Sequence, residues 1–199
     1  MSQVILPDRL HRGGLQLRLW EPGDASDLAA CIAQNKQRLA PFMPWVAEEP
    51  LPRQRRLDLI RRWRTQFDAG LDATYGIWLD GAVAGGCGLH QRIGPGGLEI
   101  GYWVDHRVLR RRVATTTAAL LTLAALDCGA VDRVEIRHAI ENVPSSGVPR
   151  ALGYRRSGQS RVVPHGPWLS GVQCIWRLGV ADLDPPGLQR LNQIRVRPA

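Results

Sequence analysis

The chain has 199 residues, with 26 basic and 18 acidic side chains and a formal net charge of +8. That length holds one substantial core, and 44% hydrophobic with 22% charged residues excludes a disordered chain. No apolar run approaches the roughly 20 residues that cross a bilayer, so no membrane association is expected.

The opening residues, MSQVILPDRL, lack a basic stretch followed by a long apolar one. No secretory leader is expected, and the expected location is the cytoplasm. Lys36 is the only lysine, so the positive charge is arginine. Two readings stay open: a codon bias on a solvated surface, or guanidinium forks that hold an anion. Cys31, Cys87, Cys128 and Cys174 are far apart and form no CxxC pair, which points to reduced, buried thiols. His11, His90, His106, His138 and His165 have no metal-ligand spacing, so no metal is expected.

Leu15, Leu17 and Leu19 alternate with polar residues and predict a strand. Asp24 is a predicted N-cap for a helix to about Gln34. Leu39 to Val46, LAPFMPWV, is an apolar loop broken by Pro41 and Pro44. Leu51 to Asp68 predicts a second helix, with Leu57, Ile60, Trp63 and Phe67 on one face. Arg53, Arg55, Arg56, Arg61, Arg62 and Arg64 surround that face, either as its solvated side or as a nucleic-acid surface.

Strands follow at Thr74–Leu79, Ala82–His90 and Leu98–Val104, the first two joined by an Asp80-Gly81 turn. A helix over Val113–Cys128 ends at Gly129, and Arg133–Ala139 is the next strand. A short helix near Ser145–Leu152 ends at Gly153, with Ser145 as its predicted cap. Strands at about Tyr154–Ser160 and Val172–Leu178 close the domain. Asp184-Pro185-Pro186-Gly187 breaks the chain into a tail. Trp20, Trp78, Trp168 and Trp176 are expected in the core or at its rim.

The strand–helix–strand unit from Leu98 to Ala139 predicts two parallel strands. Its turn carries Arg110, Arg111 and Arg112 directly before a helix, whose free N–H groups suit a phosphate.

Four segments together resemble the GNAT acyltransferase superfamily, in the Rim-type branch of ribosomal-protein N-terminal acetyltransferases. NKQRLAPFMPW (Asn35 to Trp45) resembles its NxxxLxPWxPW loop, and LEIGYWV (Leu98 to Val104) its EIGYW strand. LRRRVAT (Leu109 to Thr115) stands at the place of its [QR]xxGx[GA] loop, and ENVPSSGVPRALGY (Glu141 to Tyr154) resembles its ENxxSxxVxxxLGF segment.

The resemblance implies a single α/β (α+β) domain over residues 12–180, between an N-terminal extension (1–11) and a C-terminal tail (181–199). Its sheet is mixed, mostly antiparallel and splayed at a central parallel strand pair, with helices on both faces. Acetyl-CoA is the implied acyl-donor cosubstrate. Its pantetheine arm is expected on the backbone near Trp103, Val104 and Asp105, and beside Asn142. The diphosphate is expected on Leu109, Arg110, Arg111, Arg112, Val113, Ala114 and Thr115. Glu99 is the implied general base, acting through a water from a partly desolvated site, and Ser145 the implied proton donor to the sulfur. Phe42, Met43, Trp45 and Tyr102 are the implied wall of the acceptor pocket. The acceptor is a primary amine, either a protein N-terminus or a small molecule, and a homodimer is the statistical default.

The chain departs from the pattern in places. Leu109 replaces Gln or Arg, while Arg110 and Arg112 stand where glycine is usual. Pro149 falls inside an expected helix, where it should shorten, kink or shift it. Two alternatives therefore remain at this point: a degenerate relative that binds CoA weakly or not at all, and a basic RNA- or ribosome-associated module.

Overall fold

Leu15, Leu17 and Leu19 are buried while Gln16 and Arg18 are half-buried, so one face of their strand packs on the core. A computed structural model describes residues 4–164, 166–183 and 185–197. The elements in chain order are β1 (Arg9–Arg12), β2 (Leu15–Leu19), α1 (Ala25–Leu39), α2 (Arg53–Asp68), β3 (Ala73–Leu79), β4 (Ala82–His90) and β5 (Gly97–Val104). After them come α3 (Val113–Asp127), β6 (Arg133–Ala139), α4 (Val143–Leu152), β7 (Arg155–Arg161), β8 (Val172–Gly179) and α5 (Pro185–Gln193).

The eight strands form one sheet in the order β1-β2-β3-β4-β5-β6-β8-β7. Neighbours are antiparallel except β5 and β6, which are parallel and joined through α3. Their pairing is short. It runs from Gly97–Arg133 to Ile100–Ile136 and stops, although β5 continues to Val104 and β6 to Ala139. Beyond that point β5 follows β4, and β6 follows β8. The sheet therefore opens into a V.

Two apolar clusters cover the faces of the sheet. The larger joins Leu17, Ile77, Ile100 and Ile136 to Ala118, Ala119 and Leu121 of α3. Small residues on α3 let its backbone approach the strands closely, and its burial around most of its circumference matches an apolar sequence without a polar face. The smaller cluster joins Trp20 and Trp78 to Leu28 and Ile32 of α1 and Ile60 of α2. The Trp20 and Trp78 rings lie 4.9 Å apart, and the Arg18 guanidinium lies 3.7 Å above Trp78.

Several local expectations are corrected. Asp24 precedes α1 but makes no side-chain cap bond. Its carboxylate pairs with Arg18 at 2.7 and 2.8 Å and accepts from the Glu21 N–H. The helix α1 runs on to Leu39. β1 was not foreseen, because RLHR has no buried side and only its pairing with β2 defines it. α5 was also missed: Pro185 and Pro186 begin a helix, where missing N–H groups cost nothing, rather than break the chain. Asp184 of that predicted break, like His165, lies outside the described residues.

Leu191 of α5 is fully buried in the larger cluster, and its carbonyl accepts from the Arg12 guanidinium at 2.6 Å. The Leu191→Ala variant should therefore lose about 2–5 kcal/mol of stability. Chemical denaturation checks this, and a loss below about 0.5 kcal/mol would mean that α5 does not pack on the core.

Candidate active site

The V is where the predicted site residues meet. The Asp105 N–H donates to Ala84 of β4 at 2.8 Å. Backbone groups alternate sides along a strand, so Trp103 and Gly101 also face β4, while Val104 and Tyr102 face the gap. The expected backbone trio is thus split. Of Trp103, Val104 and Asp105, only Val104 turns toward the gap, and Tyr102 joins it. The Val104 carbonyl already accepts from Arg38.

A cavity of about 1390 Å³ lies beside the gap. It brings together Phe42, Met43 and Trp45 of the apolar loop, Glu99, Tyr102 and Trp103 of β5, Asn142 just before α4, and Ser145 of α4. The Trp45 and Trp103 rings are 6.1 Å apart. Leu109 and Arg110 to Thr115 do not line this cavity; they form the separate turn at the start of α3.

Glu99 is buried, and guanidinium groups stand beside it. One oxygen accepts from Arg92 at 2.6 Å, and the other lies 3.8 Å from Arg137. Ser145 is likewise not the cap of α4. The helix starts two residues earlier, after Asn142, and Ser145 lies in its first turn. Pro149 does not end the helix. It has no N–H for the carbonyl of Ser145, four residues earlier, and that carbonyl instead faces the Tyr102 hydroxyl at 3.3 Å. The same hydroxyl is 3.3 Å from the Ser145 Oγ. Burial pushes the Tyr102 phenol up to about 12, so it stays protonated. Tyr154 is core, as expected, and its hydroxyl meets Thr122 at 2.6 Å.

At the turn before α3, Arg110 and Arg112 have φ of 62° and 61°. These are the left-handed angles that the glycine pattern predicts, held here by side-chain-bearing residues at about 1–2 kcal/mol each. The first helical bond runs from the Thr116 N–H to the Arg112 carbonyl, so the amides of Val113, Ala114 and Thr115 have no partner within the helix. The three arginines are not equivalent. Arg111 exchanges hydrogen bonds with Arg197: its carbonyl accepts at 2.8 Å and its Nε donates at 3.1 Å. Arg110 and Arg112 are exposed.

Asp105 is fully buried at the end of β5. Burial raises its pKa, but bonds from the Arg107 N–H, Nε and Nη2 at 3.0, 2.8 and 2.5 Å overcome that and bring it to about 2. The Cys31 thiol points at it from 3.5 Å, and burial pushes that thiol up to about 12. Asn35, the first residue of the loop motif, accepts from the His106 N–H at 2.8 Å. Asn35, Arg38 and Cys31 thus tie α1 to the end of β5.

The arginine helix is not one solvated basic face. Arg56 is buried and pairs with Glu49 at 2.5 Å. Arg61 and Arg64 pair with Asp58 and Asp68 on the same helix, while Arg55 and Arg62 line the cavity. Sequence reasoning missed Arg92, Arg137 and His90 in the cavity. His90 lies opposite Glu99 in the β4–β5 register, a neighbourhood that local periodicity does not reveal.

The family model described as an acetyltransferase (GNAT) domain matches residues 14–155. The chain belongs to the GNAT acetyltransferase family. It is 32% identical over 151 residues, covering 74% of this chain and 81% of the relative, to the protein of Bacillus subtilis (strain 168) named "Putative ribosomal N-acetyltransferase YdaF". The crystallised microcin C7 self-immunity acetyltransferase MccE, in complex with acetyl-CoA and AMP, superposes with a TM-score of 0.79 at 18% identity, over 89% of this chain and 99% of that one. RimL, a ribosomal L7/L12 alpha-N-protein acetyltransferase in complex with coenzyme A, gives 0.76 at 18% identity, over 90% and 99%.

This chain is accordingly a Rim-type GNAT enzyme, an acyl-CoA-dependent acetyltransferase. The gap fits an acyl-CoA. It offers strand backbone at Tyr102 and Val104 with no β6 partner, and the helix that follows β5 begins with three amides that have no partner within that helix. No helix among the described residues is long and apolar enough to cross a membrane.

The Asp105 site gives a pH prediction. A carboxyl held at about 2 contributes stability that is present above its unfolded pKa of about 3.9 and is lost as pH falls toward 2. Asp105→Asn should be less stable than the wild type at pH 7, and the difference should shrink between about pH 4 and pH 2. Urea midpoints across that range check it; a constant difference would assign the effect to packing alone.

Proposed function

We propose that this acetyltransferase moves the acetyl group of acetyl-CoA to a primary amine, with a protein N-terminus as the favoured acceptor. The observation that carries the reading is the junction of two spaces. The gap between β5 and β6 meets the large cavity at Glu99 and Gly101. Bound acetyl-CoA supplies an activated thioester carbonyl. The residues of the chain bind, orient and move protons.

Tyr102 and Val104 would hold the pantetheine arm through their backbone, and Asn142 borders the same space. The amides from Arg112 to Thr115, with the exposed guanidinium groups of Arg110 and Arg112, would hold the diphosphate. The Tyr102–Ser145 hydroxyl pair is the proton source for the departing thiolate. Phe42, Met43 and Trp45 would pack on the acceptor. The cavity exceeds the roughly 300–1,000 Å³ of a typical small-molecule pocket, which supports a peptide acceptor. The name of the Bacillus relative supports it too.

Glu99 keeps its place at the mouth of the gap. One oxygen is taken by Arg92, and the other, 3.8 Å from Arg137, is left to hold the acceptor's ammonium group. Glu99→Gln should raise the acceptor KM about tenfold or more, from the roughly 1.5–3 kcal/mol of a hydrogen bond to a charged group, with a smaller effect on kcat. Steady-state kinetics with short peptides bearing a free N-terminus would show this, and an unchanged KM would remove Glu99 from acceptor binding.

Calorimetry tests the donor directly. Acetyl-CoA at high micromolar concentration should give saturable heat, and its absence would overturn the acetyl-transfer reading. Arg112→Gly separates an active loop from a decayed one. Relief of the left-handed strain should raise Tm, while loss of a guanidinium should weaken acetyl-CoA binding about three- to tenfold. Tighter binding in this variant would favour a degenerate cofactor loop.

A further inference from the structure

The cavity holds a second candidate for proton chemistry. Asp72 lies just before β3. One of its oxygens is 2.8 Å from His90 Nδ1, and the other accepts from the Gln91 N–H at 2.9 Å. An ionised carboxylate only accepts, so Nδ1 carries a proton and donates it to Asp72, which leaves Nε2 as the ring nitrogen that Asp72 does not engage. The hydrogen bond to His90 is also the main reason that the Asp72 pKa is held below the usual carboxylate range. Nε2 has no hydrogen-bond partner among the described residues.

The Nε2 edge of the ring lies over two glycines of the sheet. A Cβ on Gly88 would come within 2.9 Å of Nε2, and one on Gly101 within 3.5 Å. These two residues are cross-strand partners, and their lack of side chains makes the floor on which the imidazole rests. Gly101 is the first residue of β5 past the last parallel pair, Ile100–Ile136. Nε2 therefore points to the place where the cavity meets the gap.

We propose that His90 accepts the proton of the attacking amine and that Asp72 is its positioning residue. This assignment rests on the acetyl-transfer reading above. As the bond from nitrogen to the acetyl carbon forms and the carbon–sulfur bond breaks, the surplus proton on nitrogen passes to Nε2. A proton from the Tyr102–Ser145 pair passes to the sulfur. Exchange with water in the open cleft returns the imidazole to its neutral form and refills the hydroxyl pair. Glu99 holds the incoming ammonium beside the same ring, and the ammonium gives its first proton to water of the open cleft, so that it is the neutral amine that attacks.

The charged groups facing His90 come from every side of the cleft. They are Asp72 before β3, Arg92 after β4, Glu99 on β5 and Arg137 on β6, beside the titratable His138, with Arg55, Asp58 and Arg62 across on α2. Beyond them lie Glu48 and the buried Glu49–Arg56 pair. Asp72 alone among these is hydrogen-bonded to the ring.

The test compares wild type, His90→Gln and Asp72→Asn in the full chain. The readouts are acetyl-CoA calorimetry and the release of CoA thiol with a peptide bearing a free N-terminal amine. His90→Gln should keep acetyl-CoA affinity, lose about 10²–10⁴-fold in kcat, and lose the acidic limb of the kcat/KM profile. Asp72→Asn should lose at least tenfold in kcat. It should also move that limb to lower pH, since removing the anion disfavours the imidazolium. A ¹⁵N titration of His90 in the wild-type protein should reproduce the pH of the limb, which keeps the assignment testable if either variant folds poorly.

Wild-type kcat and an intact acidic limb in His90→Gln overturn the assignment while leaving acetyl transfer in place. So does a His90 titration that misses the limb. A wild-type protein that binds no acetyl-CoA overturns both.

Discussion

The site depends on where one hydrogen-bonded ladder stops. The parallel strands β5 and β6 share pairs from Gly97–Arg133 to Ile100–Ile136 and then part. Had the ladder continued, Tyr102 and Val104 would have spent their backbone groups on β6, and no gap would exist. Because it stops, the strands need bracing from outside. Arg38, Asn35 and Cys31 hold the free end of β5 to α1. On the other arm, Arg137 and Arg177 clamp the buried Glu135 at 2.7 Å each, tying β6 to β8. The antiparallel ladders to β4 and β8 carry each arm onward.

This gives the high arginine content a partly structural meaning. Several guanidinium groups that look like surface charge in the sequence are fasteners around a split sheet. Arg107 holds Asp105, Arg56 holds Glu49, and Arg137 and Arg177 hold Glu135. Removing one partner from such a site leaves a buried charge uncompensated, so each pair is more expensive to break than to keep. Arg110 and Arg112, by contrast, are exposed beside the helix terminus.

What was legible in the sequence was local. Alternation marked β2, the Asp-Gly turn marked the β3–β4 hairpin, and the motif strand Leu98–Val104 fell almost on β5. The family pattern led to the left-handed angles at Arg110 and Arg112. What was hidden depends on pairing between distant residues. Neither the length of the β5–β6 ladder nor the Asp72–His90 contact leaves a trace in periodicity. Arg56 looked like one more solvated charge because its partner Glu49 precedes the helix, beyond the window in which amphipathicity is judged. Pro149 stands inside α4, which is short and starts earlier than expected, and the carbonyl of Ser145 that the missing N–H leaves open finds the Tyr102 hydroxyl.

The two left-handed arginines also say something about when the loop acquires its shape. A glycine pair would sample many backbone angles in the free protein and settle on these ones only when a ligand ordered them. A Cβ disfavours the left-handed region, so at these two arginines the angle is imposed by the surrounding fold, with the anchored Arg111 between them. The conformational work is then done once, during folding, and need not be repeated at each encounter with the donor. A preorganised turn of this kind gives up some global stability in return for a receptor that is already shaped when its ligand arrives.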